Sequence, residues 1–292
     1  MSIKLGPNRY GKSENRVVKV TKNGGVHEIR DLNVSVALSG EMDQVHLTGD
    51  NATVLPTDTQ KNTVFAFAKE YGIDSPEAFG LLLARHFVGS QEPIHHARVS
   101  LEEYGWERIV ADNGDKQHSF VRNGQETRTA RVHFDGENAW VVSGLRNLVV
   151  LNSTGSEFHG YIKDKYTTLR ETTDRILATE VNAEWRHASD ATADWDKSYR
   201  EARRAMLEAF AQTHSLSLQQ TLYAMGDRVL AACPEIVEVR LSLPNKHHFE
   251  VDLEPFGLVN DNEVFFAADR PYGLIEGAVL REDAPAPGPA WE

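Results

Sequence analysis

The stretch Leu55-Pro56-Thr57-Asp58-Thr59-Gln60-Lys61-Asn62-Thr63 is the most informative part of the chain. Its proline ends any strand before it and keeps the preceding residue extended. Its aspartate and the threonine that follows are both favourable helix N-caps. Apolar residues then recur at helical spacing, at Val64, Phe65, Ala68 and Tyr71. The stretch therefore predicts a strand-to-helix corner, whose backbone N–H groups and helix dipole suit an anion, although an ordinary capped helix gives the same pattern.

The composition predicts a cytoplasmic protein that binds neither nucleic acid nor a membrane. The 292 residues are enough for about two domains. They include 31 basic and 43 acidic residues, for a net charge of −12, and lack the basic run of a nucleic-acid binder. No apolar run approaches the roughly 18 residues of a membrane span. Cys233 is the single cysteine, so neither an intrachain disulfide nor a thiolate metal cluster is expected.

Hydrophobic patterning predicts the same order of elements twice. In the first half, strands at 16–22 and 26–38 precede the corner helix and a helix at 76–89, and strands follow at 94–106, 118–122, 127–134 and 139–150. In the second half, a strand at 176–185 precedes helices at 199–212 and 218–231 and strands at 236–243 and 247–253. Short local connections favour an α+β fold with antiparallel sheets and helices on one face. We expect domains at 1–136 and 137–283 and a disordered Pro-rich tail at 284–292.

Six separated segments resemble the urate oxidases (uricases), in that family's order. They are Tyr10-Gly11-Lys12, Thr57-Asp58-x-x-Lys61-Asn62-Thr63, Glu157-Phe158-His159-Gly160, the twelve-residue stretch from Tyr166 to Leu177, Ser217-Leu218-Gln219, and the stretch from Ser242 to Glu250. The resemblance implies two tandem tunnelling-fold domains in each chain. It also implies a homotetramer in which the sheets close into a barrel and the active sites are shared between subunits. The final residues, Ala290-Trp291-Glu292, differ from a Ser-Lys-Leu-like peroxisomal address and favour a bacterial source.

The resemblance also implies which residues hold urate. Arg175 offers a planar fork of donors for two acceptors in one plane, and Gln219 offers a donor and an acceptor to the other edge of the purine. The backbone N–H of Leu218 joins Gln219, and Phe158 stacks on the purine face. Without the resemblance, Arg175 is equally a surface ion-pair residue, Gln219 a solvated first-turn residue and Phe158 a core residue. Thr57 and Asp58 are expected to meet the imidazole side of urate through their backbone N–H groups.

The catalytic roles follow from the same resemblance. Lys12 and Thr57 are expected to form a proton relay that His247 extends, while Asn245 and Thr57 hold O2 and later water above the ring. The urate dianion then reduces O2 directly to give 5-hydroxyisourate and hydrogen peroxide, with no metal and no organic cofactor. Strand alternation independently predicts that His247 points inward and His248 outward.

Two other functions remain open at this stage. Zinc enzymes that act on pterins share the tunnelling fold, and 12 histidines are available, although H-E-x-x-H and His-x-His spacings are missing. The second of these functions is that of a non-catalytic purine-binding protein, which the presence of Lys12 and Thr57 disfavours. His159, Arg170 and Thr173 depart from the family pattern beside matched positions, where they can alter the shape or pH response of the pocket.

Overall fold

The computed structural model describes residues 2–110, 118–268 and 270–292. Its contacts divide the chain into two units. Unit 1 comprises Met1–Gly144, Arg186–Asp196 and Pro285–Glu292, and unit 2 comprises Leu145–Trp185 and Lys197–Ala284. This division lies inside the strand that runs from Ala139 to Asn152, and the domain boundary expected at residue 136 stays a prediction.

Unit 1 contains two strands, three helices and then further strands. They are β1 (Tyr10–Asn23), β2 (Val26–Gly40), α1 (Asp43–Leu47), α2 (Thr57–Glu70), α3 (Pro76–Gly89), β3 (Ile94–Glu103), β4 (Trp106–Arg108), β5 (Phe120–Arg122), β6 (Thr127–Phe134) and the first part of β7 (Ala139–Asn152). The main sheet has the order β1-β2-β3-β6-β7, in which β1 with β2, β2 with β3, and β3 with β6 pair antiparallel. Helix α2 packs on β1 and helix α3 on β3 and β6, which buries the apolar stripe of α3 that contains Phe79, Leu83 and Phe87.

Unit 2 continues with the rest of β7 and repeats the pattern. Its elements are β8 (Leu177–His187) without its last two residues, α4 (Trp195–Gln212) without its first two residues, α5 (Leu218–Ala232), β9 (Ile236–Pro244), β10 (His247–Glu250), a 3-10 turn (Glu254–Phe256), β11 (Phe265–Ala268) and β12 (Leu274–Leu280). The main sheet of this unit has the order β7-β8-β9-β12, and β10 and β11 form a separate antiparallel hairpin. Helix α5 packs on β9 and β12. The predicted α+β class with antiparallel strands is confirmed, and in unit 1 the short helix α1 precedes the two helices predicted after the second strand.

Some element ends differ from the prediction. The strand predicted at 94–106 ends at Glu103, and the strand predicted at 247–253 ends at Glu250. Helix α1 and strands β11 and β12 were not predicted. Strand β12 has a glycine, Gly277, in its interior, which weakens the sequence pattern of a strand. The segment forms a strand because it pairs antiparallel with β9. No helix among the described residues is long and apolar enough to cross a membrane.

The Pro-rich tail packs against unit 1, in contrast to the predicted disorder. Ala290 is fully buried, and its carbonyl accepts a hydrogen bond of 3.4 Å from Nη1 of Arg131. The Pro285 carbonyl accepts a hydrogen bond of 2.9 Å from Nη2 of Arg186. Prolines lose little backbone freedom on docking, so a few contacts are enough to order this segment. Composition alone does not show that these arginine donors are available.

Two histidines are buried in unit 1 in their neutral form. Burial and the neighbouring His96 and Arg98 lower the pKa of His133 to about 3. Burial, followed by Arg128, lowers the pKa of His187 to about 3. The Nδ1 atom of His133 lies 3.2 Å from Nε2 of His96. Both histidines therefore remain uncharged in the fold at pH values where the unfolded chain is protonated.

Acid should destabilise the fold through these two side chains. Between the ordinary histidine pKa of about 6.5 and pH 3, the unfolded chain binds a proton that the folded chain excludes, so stability falls as pH falls. Each buried histidine should lower the free energy of unfolding by about 1.4 kcal/mol per pH unit in this window. Urea unfolding of the wild type and His133→Phe at pH 7, 6, 5 and 4 should show a shallower pH dependence in the variant. Parallel pH profiles would contradict this expectation, and His118→Gln, at an exposed position, is the control.

Candidate active site

The corner predicted from the sequence is a loop-to-helix corner in unit 1. Residues 51–56 lie outside any strand, and α2 begins at Thr57 with Pro56 in the N-cap position. The prediction that Asp58 and Thr59 cap the helix is therefore wrong, because Asp58 lies in the first turn, where its side chain accepts a hydrogen bond from Lys61. No side chain caps this helix. The first backbone N–H groups of a helix have no partner within the helix, which makes them available to an anionic ligand.

The segment Tyr10-Gly11-Lys12 lies in β1 beside this corner. The Tyr10 hydroxyl accepts a hydrogen bond of 2.9 Å from the Leu55 N–H and donates one of 3.1 Å to the Leu55 carbonyl. A side chain at residue 11 would place its Cβ 1.8 Å from the Val36 carbonyl oxygen, so only glycine fits there. The stretch from Gly6 to Ser13 matches the phosphate-loop pattern G-x-x-x-x-G-K-S, but strand β1 begins at Tyr10 and continues beyond it, where that motif requires a helix.

Lys12 is close enough to α2 to influence its first turn. A hydrogen bond and the charge of Lys61 hold the pKa of Asp58 below its usual value, and the charge of Lys12 makes a smaller contribution in the same direction. The Asp58 side chain is thus engaged with lysine, and its backbone N–H is the group left for a ligand. Lys12 and Thr57 are both half-buried. A bulge in β1 follows Lys12, where the register with β2 shifts before Asn15.

In unit 2, Arg175 lies against the ring of Phe158. The guanidinium carbon is 5.1 Å from the ring centroid, and Nε donates a hydrogen bond of 3.4 Å to the buried hydroxyl of Ser156. Burial lowers the pKa of Arg175, although an arginine stays charged at any physiological pH. Phe158 is half-buried and pairs with Thr172 through backbone hydrogen bonds of 2.8 and 3.1 Å. It therefore lies on a surface segment and not in the core.

Arg175 does not form an ion pair with either of the neighbouring carboxylates, Asp174 and Glu171. Asp174 accepts a hydrogen bond of 2.9 Å from the Thr154 hydroxyl, and Glu171 pairs with Lys163 at 3.0 Å. Within the described ranges 2–110, 118–268 and 270–292, no carboxylate forms an ion pair with the Arg175 guanidinium. A half-buried arginine of this kind is suited to a planar anion.

Leu218 and Gln219 form the first turn of α5. Ser217 caps this helix by accepting a hydrogen bond of 3.2 Å from the Gln220 N–H. The N–H groups of Leu218 and Gln219 precede the first intrahelical bond and stay available. The Leu218 side chain is buried, whereas Gln219 is exposed. Gln219 thus offers an exposed side-chain amide at the start of α5 and Leu218 a backbone donor, and their roles in holding urate stay predictions.

Asn245 and His247 follow strand β9 in the same unit. Asn245 bridges to Thr179, and its N–H donates a hydrogen bond of 2.8 Å to the Gly273 carbonyl. Burial, then the charge of Arg175, lowers the pKa of His247. The His247 ring stacks on Phe249 at 5.7 Å, as expected for residues two apart on one strand. The sequence predicted that this face of β10, with His247, points inward. In the isolated chain Phe249 on the same face is half exposed, so the face is not buried there.

Several side chains around these residues were not singled out from the sequence. Ser156 holds Arg175, and the Tyr161 ring stacks on Phe158 with centroids 4.9 Å apart and an interplanar angle of 17°. Tyr161 follows Phe158 by three residues in a loop, where no periodicity marks a contact. Among residues 2–110, 118–268 and 270–292, no group of three or more His, Cys, Asp or Glu side chains is arranged to hold a metal ion.

Comparison with known proteins identifies the family. The uricase family model matches residues 8–133 and again residues 141–276, and the chain belongs to this family. The uricase of Arthrobacter globiformis is 52% identical over 289 residues, which cover 99% of this chain and 94% of that protein. The uricase of Emericella nidulans is 40% identical and covers 94% and 96% respectively. The crystal structure of the Arthrobacter globiformis uricase superposes with a TM-score of 0.95 at 52% identity, covering 100% of this chain and 99% of that one.

Proposed function

We propose that the protein oxidises urate with O2 and water to 5-hydroxyisourate and hydrogen peroxide, without a metal or an organic cofactor, in purine catabolism. The observation that carries this proposal is the Arg175 guanidinium lying 5.1 Å from the Phe158 centroid. It combines a planar set of donors with an aromatic face, as a flat anionic purine requires. Membership of the uricase family supports the same substrate.

The remaining binding groups complete the contacts with urate. Gln219 and the backbone N–H of Leu218 form hydrogen bonds to the edge of the purine that lies opposite the edge bound by Arg175. The backbone N–H groups of Thr57 and Asp58 meet its imidazole side. Each of these donors is at the start of a helix, where positive charge from the dipole favours the urate anion.

The chemistry depends on a proton relay. Lys12 accepts a proton from urate through the Thr57 hydroxyl, and His247 extends the relay. The lowered pKa of His247 keeps this imidazole neutral and able to accept a proton. Asn245 and Thr57 hold O2, and later water, above the ring. Two electrons from the urate dianion reduce O2 to peroxide, and water supplies the hydroxyl group of 5-hydroxyisourate.

We further propose a homotetramer in which Lys12 and Thr57 act on the urate held by a neighbouring subunit. The exposed aromatic residues of the β10–β11 hairpin, Phe249 and Phe266, support burial against another chain. An isolated subunit should consequently show no turnover. Light scattering and activity measured across a dilution series test this, and full turnover in a demonstrably monomeric sample would contradict it.

The proposed reaction is tested by following urate absorbance and dissolved O2 together, with protein treated exhaustively with chelator. Both should fall in step as hydrogen peroxide appears. Binding of urate without any change in either signal would instead identify a purine-binding protein. Activity that returns only with zinc would overturn the metal-free mechanism and favour a pterin-type enzyme.

A further inference from the structure

The Glu157 carboxylate connects two segments that carry residues of the proposed urate site. Glu157 immediately precedes Phe158, and His214 lies on the loop that leads into α5. Nε2 of His214 donates a hydrogen bond of 2.6 Å to Oε1 of Glu157, and Nε2 of His159 donates one of 2.9 Å to Oε2. Each carboxylate oxygen therefore has an imidazole donor.

The backbones of the same two segments are also joined. The Glu157 N–H donates a hydrogen bond of 2.7 Å to the Ser215 carbonyl, and the Ser215 N–H donates one of 2.9 Å to the Gly155 carbonyl. The Ser215 hydroxyl accepts a hydrogen bond of 2.8 Å from Thr221 and donates one of 3.0 Å to the Ser217 carbonyl. This chain of contacts runs from the segment of Phe158 to the capped first turn of α5.

The charge of Glu157 strengthens the connection. Hydrogen bonds from His214 and then His159 hold the pKa of Glu157 below its usual value, so the side chain is a carboxylate at neutral pH. Hydrogen bonds to an ionised acceptor are roughly twice as strong as those between neutral groups. Neither histidine has a part in the proposed proton relay, and His159 departs from the family pattern.

We propose that Glu157 is a positioning residue for urate, which sets the Phe158 ring relative to Leu218 and Gln219 through its hydrogen bonds to His214 and His159. This inference rests on the proposed function, because it assigns urate to those three residues. A stacking ring and a helix N-terminus recognise the same ligand only at a fixed separation. The Glu157 carboxylate fixes that separation without touching the purine.

The test is the affinity for urate of wild type and variants under anaerobic conditions, in which no turnover occurs. Glu157→Ala and His214→Ala should each raise Kd by about tenfold, and in air raise KM similarly with kcat within about twofold of the wild type. His214→Gln should restore most of the affinity, because its amide can donate to Glu157. Glu201→Ala, which removes a carboxylate paired with Arg204 on α4, is the matched control and should leave Kd unchanged.

The outcomes separate this inference from the proposed function. Wild-type Kd in both alanine variants, with wild-type turnover intact, would overturn the positioning role alone. A loss of kcat at unchanged Kd would also overturn it, since the effect would then lie in the chemistry. If Glu157→Ala does not fold, equal affinity in His214→Ala and His214→Gln overturns the inference. A wild-type protein that binds urate without oxidising it would refute the oxidase, while the Kd values would still decide the role of Glu157.

Discussion

Replacing Lys12 by methionine should lower kcat for urate oxidation by about 10²- to 10⁴-fold, the range expected for the loss of a general base. Methionine keeps the length and the apolar stem of lysine but removes the amine that accepts the proton. Urate binding should remain near that of the wild type, because Arg175, Gln219 and Phe158 supply the proposed contacts with the purine. Steady-state kinetics and anaerobic urate binding of the same preparation measure the two effects separately.

Lys22→Met is the matched control for this variant. Lys22 is exposed near the far end of β1, and its loss should change neither kcat nor affinity. If Lys12→Met instead loses affinity for urate while kcat at saturating urate stays near that of the wild type, Lys12 anchors the ligand and is not part of the base. Unchanged kcat and affinity would remove Lys12 from the mechanism altogether.

Replacing Arg128 by methionine should destabilise the protein by about 3–5 kcal/mol, because it leaves a buried carboxylate without its partner. Nη2 of Arg128 lies 2.7 Å from Oε2 of Glu77, which is fully buried, and Nη1 lies 2.6 Å from Oδ1 of Asp196. The Ser143 hydroxyl donates a hydrogen bond of 2.6 Å to the other oxygen of Glu77. Burial already raises the pKa of Glu77, against the lowering effect of Arg128. Urea unfolding at pH 7 measures the change in stability.

A second variant distinguishes an unpaired charge from lost packing. Arg128→Met combined with Glu77→Gln should recover part of the loss, because the amide carries no charge to bury. Arg204→Met removes an exposed arginine that pairs with Glu201 and Glu208 on α4, and should change stability little. Additive losses in the double variant would show that the cost of Arg128→Met comes from packing and not from the Glu77 charge.

The sequence predicted the parts of the fold that depend on neighbouring residues. The helices predicted at 76–89 and 218–231 begin where expected, at Pro76 and Leu218, because a serine caps each one and capping is decided within one turn. The sequence misplaced the start of α2: Asp58 and Thr59 are both favourable caps, but the helix begins at Thr57 with Pro56 in the N-cap position, and the Asp58 side chain pairs with Lys61. The residues proposed to hold urate were found by resemblance, since nothing in their spacing brings Arg175 to Phe158.

The sequence by itself determined the α+β class, the antiparallel pairing and the uricase family, because periodicity, turns and short motifs are local properties. Tertiary structure alone decided which charged side chains meet. Glu77 is an acidic residue in the first turn of α3, and nothing in its sequence neighbourhood marks it as buried, yet it lies buried beside Arg128 of β6. Glu157 and His214 are likewise joined only when their loops pair. Such contacts depend on long-range packing, and the free energy of a charge depends on what surrounds it and not on its neighbours in sequence.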